Sequence, residues 1–530
     1  MGLLSGMDSL SIRGGSKGSR RTSNASAGSP AARVGNDNET QIDDGDPNDT
    51  STLDQEEGNI LMSLISQLRP GMDLTKIALP TFVLEPRSLL ERITDFFSHP
   101  ELIFGAANEP EAKERFLRVM TFYLSGWHIK PKGVKKPYNP VLGEFFRCTY
   151  VYPDGSEGFY IAEQVSHHPP VSAFFYVSPK NGLLVTGELK PKSKFLGNSA
   201  ATIMEGEDRI RLLDRPEDGE YAISMPNTYA RGILFGKMLL ELCDLSTIAN
   251  PTTDFHADVD FKAKGWISGG YNVISGKVNG PGRADSGEVG GHWSSAIEYT
   301  DKKSKEKRVL FDPAKSKTAP KRVLPESEQE EFESRRLWSK LTDAIRAADM
   351  YAATAAKGVV EDHQRDLARK REAAGEQVES RFFKHVAGDK WMPKLDVDNL
   401  PKDRTEMEST VRKWIFGDKN PLDFAENGSA KASPKKQPLD VATGAGAGVA
   451  SSGASFAGST SSTITPRTLN GPMVWRKTDF TQLPLPPPPA LPSVSSLTTP
   501  SPQRFKKVET FARGNTYRHI INPTNTFSPR

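Results

Sequence analysis

The 530-residue chain is expected to fold as a mostly β protein with flanking helices (α+β), on three observations. Short segments rich in β-branched and aromatic residues (FYIAEQV, SAFFYV, GLLVTGEL, YNVISGKV and SSAIEY) follow one another at close spacing, with Gly, Pro, Asn or Asp between them. Such spacing predicts a meandering barrel or a sandwich. Helical periodicity brackets this run on both sides. Neither end of the chain can bury enough apolar surface to offset its ordering entropy. One folded unit, residues 59–420, is therefore predicted between tails at 1–58 and 421–530.

Taken in order, the first tail is rich in Ser, Gly, Asn and Asp, and residues 36–58 are strongly acidic. NILMSLISQL (59–68) follows. Its Ile60, Leu61, Leu64, Ile65 and Leu68 fall on one face of a short amphipathic helix that Arg69–Pro70–Gly71 ends. NEPEAKERFLRVMTFYLSGW (108–127) reads as a helix ahead of the strands. After the strands, Ser327 and Glu330 form a candidate capping box before a long helical stretch with Trp338, Leu341 and Ile345. Gly358 in that stretch costs about 1 kcal/mol relative to Ala, which close approach of a ligand would explain. The second tail is rich in Ala, Gly, Ser and Thr, then in proline at PLPLPPPPALP.

Function is read from three separated segments. EQVSHHPP (Glu163–Pro170) sets His167 and His168 beside two prolines, which fix φ and remove backbone donors, so the segment is expected to be extended after His168. Two fixed imidazoles can donate to one anionic group. Zinc is the competing reading, but adjacent side chains on an extended segment point to opposite faces. A structural zinc site also takes about four ligands, and the remaining histidines are scattered without CxxC, HExxH or HxxxH spacing. KKPYNPVLGE (Lys135–Glu144) supplies Lys136 and Asn139, with Pro137 and Pro140 holding the turn open. Lys357, Glu361 and Arg365 recur at i, i+4 and i+8 on one helical face; alone, such a triplet is an ordinary ion-pair ladder.

Together these cations suit a phosphate monoester, which carries roughly −1.5 to −2 charge and three acceptor oxygens. Arg365 can clamp it bidentately, Lys136 and Lys357 add charge, and His167 and His168 donate. Glu361 either orients Lys357 or accepts from a hydroxyl of the ligand. No nucleophile–base pair is found with a leaving group to act on. The site reads as one for binding rather than catalysis, with no metal and no cofactor.

In this order the three segments resemble the signatures of the oxysterol-binding-protein-related family of lipid-transfer proteins. The resemblance implies an incomplete antiparallel β-barrel enclosing a lipid tunnel, with an N-terminal lid at about 59–78 that carries the five apolar residues above. It also implies a phosphatidylinositol 4-phosphate head group held by Lys136, Asn139, His167, His168, Lys357, Glu361 and Arg365. LPTFVLEPRSLLER (Leu79–Arg92) and LKPKSKFLGNS (Leu189–Ser199) are most similar to the branch that carries phosphatidylserine, with Val83 where an Ile is common. In that branch Leu79, Thr81, Lys136, Asn139, Lys192 and Ser193 would surround the serine head group. A member of this branch exchanges phosphatidylserine for phosphatidylinositol 4-phosphate between membranes. The alternatives are a sterol in place of phosphatidylserine, and a lipid-dependent regulatory scaffold. A lid has a physical rationale, since exposing two acyl chains to water costs on the order of 20 kcal/mol at about 0.8 kcal/mol per methylene.

Two cysteines imply no disulfide framework, as expected in a reducing cytosol. No apolar run approaches the ~20 residues of a membrane span. A cytoplasmic protein, peripheral at membranes, is expected, and the resemblance suggests endoplasmic reticulum–plasma membrane contact sites. No room for a pleckstrin-homology domain or ankyrin repeats is seen, which suggests a short form. Net charge is only +3, yet KPKGVKK, KPKSK and DKKSKEKR are basic; near a tunnel mouth each Lys or Arg adds about 1 kcal/mol of attraction to an anionic leaflet. No aromatic-interleaved basic stripe supports nucleic-acid binding. The polyproline tract reads as an SH3 or WW ligand or as a semi-rigid spacer.

Overall fold

The computed structural model describes residues 69–73, 80–131, 133–233, 238–265 and 269–424. The predicted lid residues Ile60, Leu61, Leu64, Ile65 and Leu68 lie outside the described residues, as do Leu79 and residues 1–58 and 425–530. Strand β1 (Leu84–Ser88) pairs in parallel with β2 (Lys136–Tyr138). The main sheet then runs through β3 (Phe145–Val151), β4 (Glu157–His167), β5 (Pro170–Ser178), β6 (Leu183–Phe195) and β7 (Ser199–Leu212). Strands β8 (Glu220–Ile223) and β9 (Asn227–Arg231) both sit between β7 and β10 (Leu239–Asn250). The meander continues through β11 (Phe255–Lys262), β12 (Val273–Gly280), β13 (Ala284–His292), β14 (Ile297–Asp301) and β15 (Lys307–Phe311). Strand β16 (Lys321–Arg322) returns to pair with β3. Among the described residues β15 and β16 end the order without pairing to each other, so the antiparallel barrel is incomplete.

The near-continuous apolar runs have a structural cause: part of the wall is buried on both faces. In β5, Phe174 and Tyr176 join the core inside the barrel, while Ala173, Phe175 and Val177 join a second core outside it. Strand β4 divides in the same way, with Tyr160 and Ala162 inside and Phe159 and Ile161 outside. The helix Arg404–Phe416 covers this outer face with Met407, Val411 and Ile415, at the i, i+4, i+8 spacing of one stripe. The hairpin of β17 (Phe383–Val386) and β18 (Lys390–Pro393) adds Phe383 to the same core. The opposite wall is simpler. In β11, buried Phe255, Ala257, Val259 and Phe261 alternate with more exposed neighbours, the pattern of a sheet wet on one face.

The expected helix before the strands forms as Ala112–Ser125, and it packs Phe116, Met120 and Tyr123 into the inner core. Phe97 stacks on Tyr176 there, with ring centroids 4.3 Å apart. The helical stretch after the strands is broken into Ser334–Leu337, Ser339–Arg346 and the long Met350–Ala374. The predicted capping box does not form. Ser327 lies inside a 3-10 turn, Glu326–Glu328, and Glu330 is drawn into ion pairs with Arg381 (2.6 Å) and Arg147 (3.2 Å). Asp349 caps the long helix instead, accepting from the Ala352 amide at 2.9 Å.

Candidate functional site

Pairing of β1 with β2 sets Leu84 opposite Lys136 and Ser88 opposite Tyr138, so the LEPRS and KPY segments lie side by side. The loop after Asn139 then folds onto β4. Gly143 donates its amide to the Gln164 carbonyl (3.0 Å), and Gln164 donates to the Glu144 carbonyl (2.8 Å). Glu144 closes the assembly. Its buried carboxylate accepts from Ser88 Oγ (2.5 Å), Ser334 Oγ (2.7 Å), Trp338 Nε1 (2.9 Å) and the Val141 amide (3.0 Å). Burial pushes the acid upward in pKa, and the four hydrogen bonds oppose that shift. Tyr138, Val141, Trp338, Leu341 and Ala353 pack around it and join the motif loop to the long helix.

His167 ends β4 and His168 with Pro169 forms the turn into β5, so the two residues straddle the end of a strand and the start of a hairpin turn. The expectation of opposite-facing rings fails for this reason. The chain reverses at His168–Pro169, the ring centroids are 4.7 Å apart, and both line the same cavity. His167 Nδ1 is buried without a hydrogen-bond partner.

That cavity has a volume of about 1140 Å³, above the ~300–1,000 Å³ of pockets that enclose drug-sized ligands. Its inner wall is hydrocarbon and aromatic, with Phe174, Leu189, Met204, Met225 and Leu242 among the lining residues. The polar lining includes Lys136, Asn139, His167, His168, Lys357, Glu361 and Arg365, so three segments far apart in sequence meet at one place. Lys357 Nζ holds Glu361 at 2.5 Å, and Arg365 rests on Asp362 at 2.5 Å in an exposed pair that is cheap to break. Lys136 is exposed to the open space of the cavity, and the protein walls that enclose this space limit its solvation. Burial, and then the nearby Lys357 ammonium, lower its pKa. Two cations that repel across a cavity define a place for an anion.

Burial, then His168, lowers the pKa of His167; Pro140 and Glu361 oppose the shift. A bound phosphate would raise it again, so binding takes up a proton. Anion affinity should therefore rise as pH falls through the raised value, and level off below the value in the free protein. Binding measured at about pH 6 should be several-fold tighter than at about pH 8. His167→Gln should flatten this dependence beyond what titration of the phosphate itself contributes, and an unchanged slope would remove His167 from the site.

The expected phosphatidylserine residues are distributed differently. Lys136, Asn139 and Ser193 line the cavity, with Ser193 Oγ 3.3 Å from Thr202 Oγ1. Thr81 is buried against the long helix, 3.4 Å from Thr354 Oγ1, and is not part of the lining. Lys192 corrects the expectation. Alternation along β6 turns it to the outer face, where it pairs with Glu205 at 2.7 Å. Two residues went unread in the sequence. Gln364 is 8% exposed, lines the cavity and has an unpartnered Oε1; its position seven after Lys357, on the same helical face, was the available signal. Glu144 stood at the end of its motif with nothing nearby in sequence to reveal its clamp. Among the described residues no cluster of three or more metal-ligating groups occurs, and no helix is long and apolar enough to cross a membrane.

Comparison with known proteins bears on the family and the fold. The family model described as oxysterol-binding protein matches residues 63–351. An oxysterol-binding protein homolog of Schizosaccharomyces pombe is 46% identical over 370 residues, covering 67% of this chain and 76% of that protein. The solved Osh1 ORD domain in complex with cholesterol aligns with a TM-score of 0.54 and 25% identity, over 68% of this chain and 91% of that one. The Osh3 ORD of Saccharomyces cerevisiae in complex with PI(4)P aligns with a TM-score of 0.51 and 20% identity, over 68% and 94%.

Proposed function

Because the chain belongs to the oxysterol-binding protein family, we propose that it exchanges phosphatidylserine for phosphatidylinositol 4-phosphate between membranes through its apolar cavity. One observation carries the reading: a cavity of lipid size whose hydrocarbon wall ends at a cluster of cationic and donor groups, Lys136 and the Glu361-paired Lys357 beside the His167–His168 pair. A phosphate monoester meets those cations while its acyl chains occupy the wall. Both lipids use the one cavity, so their binding is mutually exclusive. Asn139 and Ser193 support a serine head group, since an amide and a hydroxyl suit its carboxylate and ammonium better than the single hydroxyl of a sterol. A protein acting this way works in the cytoplasm and visits membranes peripherally, and the lipid gradients alone drive it. Contact sites between the endoplasmic reticulum and the plasma membrane are its proposed place, with anionic leaflets as its docking surface.

The decisive experiment is mass spectrometry of lipids co-purified with the protein, followed by transport between liposomes of defined composition. Recovery of phosphatidylserine and phosphatidylinositol 4-phosphate, each displacing the other, is expected. Sterol in place of phosphatidylserine would favour the second reading, which the likeness to the cholesterol-bound domain supports. Binding without transport would favour a regulatory scaffold. Lys192→Ala should leave phosphatidylserine uptake within about twofold of wild type, as a surface substitution does. A tenfold loss would return Lys192 to the site.

A further inference from the structure

The helix Met350–Ala374 borders the cavity well beyond the phosphate cluster. Lys357, Glu361, Gln364, Arg365, Ala368 and Arg371 all belong to the lining. Fourteen residues, about 21 Å of helix, separate Lys357 from Arg371, and two heptads bring Arg371 back close to the face of Lys357. Arg371 lies about 9 Å along the axis beyond Arg365, the last member of the cluster. The chain then closes this end of the mouth. Gly375 ends the helix at φ 66°, and Gln377 and Val378 rejoin the lining. Ser380 Oγ and the Arg381 and Phe382 amides next tie the segment to the Glu163 carboxylate on β4, at 2.7, 2.8 and 2.8 Å.

Charge pairing sets Arg371 apart. Among the cations of the lining, Arg92 is held by Glu85 (3.0 Å), Lys357 by Glu361 and Arg365 by Asp362, while Lys135 donates to the Phe82 carbonyl. Lys136 and Arg371 have no hydrogen-bond or ion-pair partner among the described residues. Lys136 belongs to the phosphate cluster; Arg371, half-buried at the far end of the mouth, is surplus to it. The acids of the lining offer it nothing. Glu361 is taken by Lys357, Asp95 by Arg87 at 2.7 and 2.6 Å, and Asp208 is 4% exposed. Capping of the helix does not employ the guanidinium either, since the Glu376 amide donates to the Arg371 carbonyl (3.0 Å) and the Gly375 amide to that of Glu372 (3.2 Å). A cation in the last turn suits the helix dipole, but that effect asks for neither a planar fork nor a place in the lining.

We infer that Arg371 is a specificity-determining residue, whose guanidinium holds a second anionic group on the head group of the bound lipid, apart from the phosphate monoester. This deepens the lipid-exchange reading and rests on it. A guanidinium fork matches a carboxylate or a phosphate through two parallel hydrogen bonds. The carboxylate of phosphatidylserine is one source of such a group, and it lacks the cation expected for it, because Lys192 faces outward to Glu205. The second phosphate of a bisphosphorylated inositol lipid is the other source. The test offers the full chain liposomes in two arms, with acyl chains held constant. Phosphatidylserine competes with phosphatidylethanolamine, which differs by the carboxylate alone; phosphatidylinositol 4,5-bisphosphate competes with phosphatidylinositol 4-phosphate. Extracted lipid is quantified by mass spectrometry. Wild type should prefer the more anionic lipid in at least one arm. Arg371→Gln should cut that preference roughly tenfold or more, as loss of hydrogen bonds to a charged group does. Arg371→Lys, which keeps the charge without the fork, should recover only part of it. The arm that responds identifies the source. Preferences unchanged by Arg371→Gln in both arms overturn the assignment and leave lipid exchange in place. So does a uniform loss of all four lipids, which would reduce Arg371 to general attraction for the membrane. A wild type that extracts no lipid at all overturns both.

Discussion

Replacing His167 and His168 together with Ala is expected to lower phosphatidylinositol 4-phosphate extraction by at least about 100-fold. Each imidazole offers a hydrogen bond to a charged group, worth about 1.5–3 kcal/mol, and two such bonds exceed that factor. The fold should hardly notice. His168 is exposed, His167 is half-buried, and the free Nδ1 of His167 shows that the protein itself does not use that atom. The thermal midpoint should stay within about 2 °C of wild type, as for substitutions away from packed features. Phosphatidylserine uptake should survive in part, because Asn139 and Ser193 remain. Extraction retained by the double variant would refute the assignment of the pair.

Glu144→Ala is expected to cost about 3–4 kcal/mol and to lower the thermal midpoint by roughly 4–5 °C. The side chain does not line the cavity. Its carboxylate gathers donors from β1, the motif loop and the segment that leads to the long helix, so its loss strands the Trp338 indole and the Val141 amide in a dry interior. An opposing effect must be weighed, since removing a buried charge without a cation recovers desolvation energy. Burial also outweighs the four hydrogen bonds in setting the acid's pKa, so the expected cost rests on the donors that Ala leaves unpaired, the Trp338 indole and the Val141 amide. Glu144→Gln should fall between, because an amide nitrogen would face donors. Head-group binding should weaken with stability, as Lys136 and Lys357 lose their relative placement. A more stable Ala variant in thermal or urea melts would show that desolvation dominates, and would end the clamp argument.

Much of the architecture was legible because strand and helix periods are local. The meander and the helix Ala112–Ser125 follow from segments readable one at a time, whereas the meeting of Lys136, the histidines and Lys357 was implied only by the family resemblance of the three segments together. The misreadings involve geometry between neighbours. Prolines beside His168 pointed to extended chain, yet the hairpin partner of β4 begins at Pro170, and the reversal turns both rings to one side. Lys192 and Ser193 are adjacent in an extended strand, so only one could face the cavity; parity alone would have excluded Lys192. Runs such as SAFFYV lack alternation because a distant helix, Arg404–Phe416, covers their outer face. Glu144 was invisible for a similar reason, as its surroundings come from strands and helices far away in sequence.

The two-sided burial of β4 and β5 has a mechanical consequence. Strands β9 and β10 line the cavity through Thr228, Ala230, Leu240 and Leu242 but contribute nothing to the second core outside the barrel, so a cargo that swells the cavity will push on them while the braced side keeps its curvature. Breathing should thus concentrate in β9 and β10, visible as faster amide deuteration there than in β4 and β5, and binding of a lipid should quieten that part of the barrel first.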